Sequence, residues 1–256
     1  MPYLTRPDAE LYYEVHGSGP ALVFAHGLGG NHLSWWQQVP HFRDRFTCLA
    51  FAHRGFAPSH SSGPAEDLGR HYVDDLEALL RELGIDDVRL VGQSMGGWTC
   101  LGFALRRPER VRALVMADTA GSFAHGIPAA GGEEALFARG IHPAAGERMA
   151  REQPALHFLY WELNGLSGAL DKQALREGLH AMATTSEAEV RALRVPLLGI
   201  AGQEDRTIPP AAVARLCELV PGARFASVPE AGHSVYFERP ARFNELVAEF
   251  LAGLRT

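Results

Sequence analysis

Cysteine is scarce, with three in 256 residues, at Cys48, Cys100 and Cys217. They lie far apart in apolar contexts. An odd number without close pairs reads as buried, reduced thiols in a cytoplasmic protein, and it excludes a disulfide framework. Long apolar runs are missing too: Pro20–Ala25 and Val195–Ala201 fall far short of the roughly 20 residues that a membrane-spanning helix needs. Met1–Glu10 is polar and has no apolar signal-peptide core. Positive charge is neither in excess nor clustered; the net charge is −6 and the arginines are scattered, which argues against a nucleic-acid surface. No His, Cys or carboxylate group shows metal-ligand spacing. The Gly29-Gly30 pair is not followed by Lys-Ser/Thr, so it is no phosphate loop. The expectation is no metal, no cofactor, no membrane and no nucleic acid, which leaves a small-molecule substrate as the partner. Nothing in the sequence sets an oligomeric state. At 46% hydrophobic and 21% charged residues, a chain of this size buries roughly three quarters of its unfolded surface, enough for one large core.

Short β-rich runs alternate with helical patterns. Leu11–Val15, Ala21–Ala25, Phe46–Ala52, Val88–Val91 and Val111–Ala117 read as strands. Between the third and fourth, Glu66–Leu83 places Leu68, Tyr72, Leu76, Leu79 and Leu83 on one helical face, stopped by Gly84. Met95–Arg107 is a second helix, ended by Pro108. After Thr119 strand character disappears. Gly121–Gly132 is rich in Gly, Ala and Pro, and only helical segments follow: Glu133–Arg139, Ala144–Glu152, Pro154–Leu163 and Lys172–Thr184. Strands return at Val195–Ala201 and Arg224–Val228, with helices at Ala211–Leu219 and Pro240–Leu254. This alternation predicts a mostly parallel twisted α/β sheet with helices on both faces. Its core is formed by residues 1–120 and 195–256, and residues 121–194 form an inserted helical cap.

The sharpest local signal is Gly92-Gln93-Ser94-Met95-Gly96, between a strand and a helix. A serine on such a tight turn has its hydroxyl lifted clear of the backbone, and the residues two before and two after must be small. A serine hydroxyl needs a positioned base. His233 suits, in the segment Pro229–Ser234 between the last strand and the last helix. The base needs an acid to hold its tautomer, and Asp205 follows the strand Val195–Ala201. Two rivals for that role are Asp118, at the end of the strand Val111–Ala117, and the neighbouring Glu204. Backbone N–H donors for an oxyanion are expected from Met95 and from Leu28, in the loop His26–Gly30.

These segments together resemble the α/β-hydrolase superfamily, in its compact members with a helical cap, such as esterases, lactonases and carbon–carbon bond hydrolases. The resemblance runs through His26–Gly30, Gly92–Gly96, Gly202–Pro210 and Gly232-His233, essentially the whole chain. It implies Ser94 as nucleophile, Asp205 as acid, His233 as base, and Leu28 and Met95 as oxyanion donors. The chain departs from the family at Ala52, where an aspartate is usual, and at Ala57, where a glycine is usual. Both lie in a turn away from the chemistry.

The implied activity is cofactor-free hydrolysis of a small or medium, largely apolar ester, thioester or lactone through an acyl-enzyme. The alternatives are a carbon–carbon hydrolase of vinylogous diketones, which needs a polar clamp in the cap, a cofactor-free lyase or oxygenase, and a small-molecule receptor that keeps its triad. Trp36, Phe123, Phe158 and Trp161 are the candidate pocket aromatics, taken from a set that also holds Trp35, Trp98, Phe137 and Tyr160. The pocket is expected to be mainly apolar unless an arginine such as Arg139 or Arg148 turns inward. His26 reads as a structural residue bonding loop backbone. His53, His125, His142, His157 and His180 read as surface or cap residues.

Overall fold

The computed structural model describes residues 2–123 and 133–254; the stretch 124–132 of the Gly/Ala/Pro-rich segment, His125 with it, lies outside the described residues. Nine strands form one sheet: β1 (Tyr3–Arg6), β2 (Ala9–His16), β3 (Ala21–Ala25), β4 (Thr47–Phe51), β5 (His60–Ser61), β6 (Val88–Gln93), β7 (Val111–Ala117), β8 (Leu197–Gly202) and β9 (Arg224–Val228). The order is β1-β2-β4-β3-β6-β7-β8-β9, with β5 paired to β2. From β4 to β9 every pairing is parallel, whereas β1, β2 and β5 pair antiparallel at one edge.

The helices are α1 (Val39–Phe42), α2 (Ala65–Leu68), α3 (Tyr72–Glu82), α4 (Met95–Arg106), α5 (Glu133–Ala138), α6 (Gly146–Glu152), α7 (Pro154–Gly165), α8 (Lys172–Ala181), α9 (Glu187–Ala192), α10 (Pro210–Leu219), α11 (Val235–Glu238) and α12 (Pro240–Ala252). Among the described residues, none is long and apolar enough to cross a membrane.

The central strands are buried on both faces, so their sequences are continuous apolar runs and not alternating ones. Alternation survives in what each side chain meets. Val23 and Ala25 of β3 join the cluster under α3, α4 and α10, with Leu79, Leu101 and Leu216. Leu22 and Phe24 join the opposite cluster, with Phe42 of α1 and Phe243, Val247 and Phe250 of α12. All three cysteines are free and buried. Helices α5 to α9 form an insert between β7 and β8. A third cluster ties this insert to the core, packing Leu175 and Leu179 of α8 with Leu68, Tyr72 and Met95.

The chain leaves β3 for β4 on one side and returns to β6 on the other. Loops diverge at such a reversal and open a crevice at the strands' C-terminal ends. Ser94 and the loop after β3 both sit there.

The predicted helix over 66–83 is broken into α2, a 3₁₀ turn at Gly69–His71, and α3. The break occurs where the insert presses down: a Cβ on Gly69 would lie 2.7 Å from a Leu179 methyl. Strands β1 and β5 are not predicted by the sequence pattern, because four and two residues at a half-exposed edge leave little apolar signal.

The turn after β4 is fixed by a buried ion pair. Arg54 grips Asp75 of α3 through two bonds of 2.6 and 2.7 Å, and reaches Asp8 at 2.8 Å. Removing Asp75 leaves the buried Arg54 guanidinium with only the exposed Asp8 as counter-charge. Asp75→Ala should therefore lower stability by about 3–5 kcal/mol in urea unfolding. The double variant Arg54→Met/Asp75→Leu should recover part of that loss.

Candidate active site

Ser94 joins β6 to α4 with φ 49° and ψ −117°, a backbone region that a residue with a Cβ rarely occupies. The surroundings hold it there. Its N–H donates to the Ala117 carbonyl at 3.0 Å, and its carbonyl accepts from Gly97 N–H at 2.9 Å. The flanking glycines are required sterically. A Cβ on Gly92 would lie 2.7 Å from the Gly96 carbonyl oxygen, and one on Gly96 would lie 2.0 Å from that of Ala25.

His233 lies after β9 with Nε2 2.8 Å from Ser94 Oγ, and its Nδ1 is 2.8 Å from Asp205 Oδ2. Asp205 is itself oriented, since its Oδ1 accepts from Thr207 N–H at 2.8 Å and Ile208 N–H at 2.9 Å. With Asp205 accepting, the imidazole proton sits on Nδ1 and Nε2 presents a lone pair to the hydroxyl. Gln93, beside Ser94, donates to the His233 carbonyl at 2.7 Å and so links the two loops directly.

The two rival acids are placed elsewhere. Asp118 is fully buried, and its oxygens accept from Gly202 N–H and Val235 N–H, each at 3.0 Å. It stitches the end of β7 to the loops that carry Asp205 and His233. Burial, and then the nearby Asp205, push its carboxyl well above the usual range. Glu204 is exposed and grips Arg148 at 2.6 Å.

A third carboxylate escaped sequence reasoning. Glu238 is buried and accepts from Gly232 N–H at 2.9 Å and Ser234 N–H at 3.1 Å, one on each side of His233. Burial raises it to about 7. Among the histidines, His26 Nδ1 bonds the Gly27 carbonyl at 2.8 Å and Nε2 accepts from His53 N–H at 3.0 Å; burial lowers it to about 3. His53 is not at the surface as expected. It is buried, with Nε2 2.9 Å from Thr99 Oγ1, and burial holds it well below the normal range.

Above Ser94 lies a cavity of about 770 Å³. Leu28, Gly29, Ser94, Met95 and His233 line its floor, while Phe137, His142, Tyr160, Asn164, Lys172 and Arg176 come from the insert. The four aromatics expected there sit elsewhere. Trp36 is 46% exposed and packs edge-on against Phe237, and Phe158 is 65% exposed on α7. Phe123 is buried in the core with Leu101 and Leu197. Trp161 packs behind His142 and Phe137 instead of facing the cavity. One residue step on a helix turns a side chain by about 100°, so Tyr160 faces the cavity and its Oη accepts from Ser234 Oγ at 3.1 Å. The cavity also carries more charge than expected, and from different residues. Arg139 and Arg148 pair outward with Glu147 and Glu204, whereas Lys172 and Arg176 line the wall.

Glu238 yields a pH prediction. Its carboxyl sits at about 7 in the fold against an ordinary 4.5. The stability it contributes is thus fully present below pH 4.5 and is lost as pH rises through 7. Relative to Glu238→Gln, the native chain should lose up to about 3 kcal/mol between those limits. Urea unfolding at pH 5 and 8.5 checks this, and a difference that does not change with pH would refute it.

Comparison with known proteins agrees with this architecture. The model of the alpha/beta hydrolase fold family matches residues 20–162, more than half of the chain. A 2-hydroxymuconate semialdehyde hydrolase of Pseudomonas sp. (strain CF600) is 32% identical over 92% of this chain and 88% of its own. A 3-oxoadipate enol-lactonase of Acinetobacter baylyi is 29% identical over 95% and 94%. The solved enol-lactonase of Burkholderia xenovorans LB400 shares the fold with a TM-score of 0.81, at 24% identity over 98% of this chain and 100% of that one. The match to the family model and the 32% identity agree with a serine turn at the sheet's crevice: this chain belongs to the α/β-hydrolase-fold family.

Proposed function

We propose that the chain is a serine hydrolase of small to medium esters, thioesters or lactones, with Ser94, His233 and Asp205 as its catalytic residues. The observation that carries this reading is the continuous line of hydrogen bonds, 2.8 Å from Ser94 Oγ to His233 and 2.8 Å from His233 to Asp205, on the floor of a cavity large enough for a small organic molecule.

On this reading the reaction runs in two stages. His233 Nε2 takes the Ser94 proton as Oγ attacks the carbonyl carbon, and Asp205 stabilises the imidazolium that results. Negative charge develops on the former carbonyl oxygen, where the N–H groups of Leu28 and Met95 receive it. Met95 begins α4, so the positive end of that helix adds to the stabilisation. Collapse of the tetrahedral adduct expels the alcohol, thiol or ring oxygen, protonated by His233, and leaves an acyl-Ser94. A water deprotonated by the same imidazole then attacks, and release of the acid restores Ser94. Helices α5 to α9 act as the cap that selects the substrate. A second reading, carbon–carbon hydrolysis of a vinylogous diketone, needs a polar clamp in the cap, and Asn164, Lys172 and Arg176 offer polar groups there.

Turnover of 4-nitrophenyl esters, lactones and a dienoate ketone tests both readings. A stoichiometric burst followed by steady release is expected of a hydrolase; slow turnover of every compound would favour a receptor. Ser94→Ala should lose about 10⁴-fold or more in kcat with its fold intact. The two aspartates should separate. Asp205→Asn should cut kcat by about 10³–10⁴ without unfolding the chain. Asp118→Asn sets an amide N–H against a backbone N–H, so it should cost about 1–3 kcal/mol of stability and far less turnover. The reverse ranking would move the acid to Asp118.

A further inference from the structure

Lysine occurs once in this chain, at Lys172. That side chain opens α8 and lines the same cavity as Ser94 and His233. Its Nζ donates to the Asn164 carbonyl oxygen at 2.9 Å and to Asn164 Oδ1 at 2.6 Å. Both acceptors are neutral. An ammonium has three N–H donors, and among the described residues no carboxylate pairs with this one. Arg139 and Arg148, on the outer side of the insert, pair with Glu147 and Glu204. A partly buried cation without a counter-charge is costly to keep.

The other ionisable groups around the cavity do not supply that counter-charge. His142 accepts from Ala144 N–H through Nδ1 and is lowered to about 4 by burial, so it is neutral at physiological pH. Arg176, one turn along α8, lines the same wall, and Glu134 of α5 lines the cavity from an exposed position. Tyr160, whose phenol is raised by burial, and His180 and His233 line it as well. Met95, Trp98, Leu179 and other apolar side chains also line this cavity, so it can hold an apolar chain.

We infer that Lys172 is the anchor of a carboxylate subsite, so that the preferred substrate is an ester or lactone whose apolar middle ends in a carboxylate paired with Lys172 while its carbonyl lies at Ser94. This rests on the hydrolase reading above and specifies its substrate class.

The test compares 4-nitrophenyl monoesters of adipic and pimelic acid with the same compounds capped as methyl esters, which keep the chain and remove the charge. The native enzyme should favour the free carboxylate by roughly tenfold or more in kcat/KM. Lys172→Met should abolish that ratio, and Lys172→Arg should keep most of it. Burial lowers the Lys172 ammonium to about 8, so the ratio should also collapse as pH rises through that value, a readout that needs no variant. Binding of monomethyl and dimethyl adipate to Ser94→Ala, by calorimetry, gives the same comparison without turnover. If nothing is hydrolysed but the monoanion binds better in a Lys172-dependent way, the subsite stands and the hydrolase reading falls. If neutral and anionic compounds are treated alike at every pH, the subsite is overturned. It is equally overturned if Lys172→Met only lowers stability and leaves the ratio unchanged, as loss of a cap on the α7 carbonyl would.

Discussion

The contact on which the site depends is the approach of α4 to the end of β3. Gly96, in the first turn of the helix, lies so close to Ala25 that a Cβ would stand 2.0 Å from its carbonyl oxygen. This closeness sets Ser94 beside the loop that begins at His26. It also forces the Ser94 backbone into its strained conformation, which costs on the order of 1–3 kcal/mol. That strain is offset by bonds that cannot form elsewhere, from Ser94 N–H to Ala117 and from Gly97 N–H to Ser94. Position is thereby fixed by the sheet itself, and the hydroxyl needs no flexible segment to orient it.

Three carboxylates surround one imidazole, and their environments differ. Asp205 accepts two backbone N–H groups and the His233 ring. Asp118 and Glu238 are raised by burial, Glu238 to about 7. Asp205 alone of the three bonds the ring; Asp118 ties the backbone at Gly202 and Val235, and Glu238 ties it at Gly232 and Ser234.

Features that follow from local geometry are legible in the sequence. Ala21–Ala25 and Val111–Ala117 have the same bounds in sequence and structure because both are apolar runs bordered by turn residues. Ser94, Asp205 and His233 stand out because a tight turn and two loops at strand ends allow few residue types. Features that depend on distant packing do not stand out. Tyr160 and Trp161 are neighbours of similar composition, and only the rotation of α7 decides that the first faces the cavity. His53 reads as polar, yet Thr99 of α4 makes it a core residue. Glu238 lies five residues beyond His233, and nothing in the sequence marks that its carboxylate turns back to the Gly232 and Ser234 amides.

Helix α8 is where the insert meets the floor of the cavity. Leu175 and Leu179, one turn apart, pack into the cluster with Leu68, Tyr72 and Met95. Gly178 lets the helix touch α2, where a Cβ would stand 1.9 Å from the Glu66 carbonyl oxygen. Lys172 and Arg176, also one turn apart, lie on an adjoining face toward the cavity. Docking and charge placement are therefore set by adjoining faces of one helix, with Leu179 on both. The apolar pair also meets Met95, the residue after Ser94, so the packing that fixes the helix reaches the cavity floor. One helix thus both anchors the insert to the core, through Leu175 and Leu179, and carries Lys172 and Arg176 on the cavity wall.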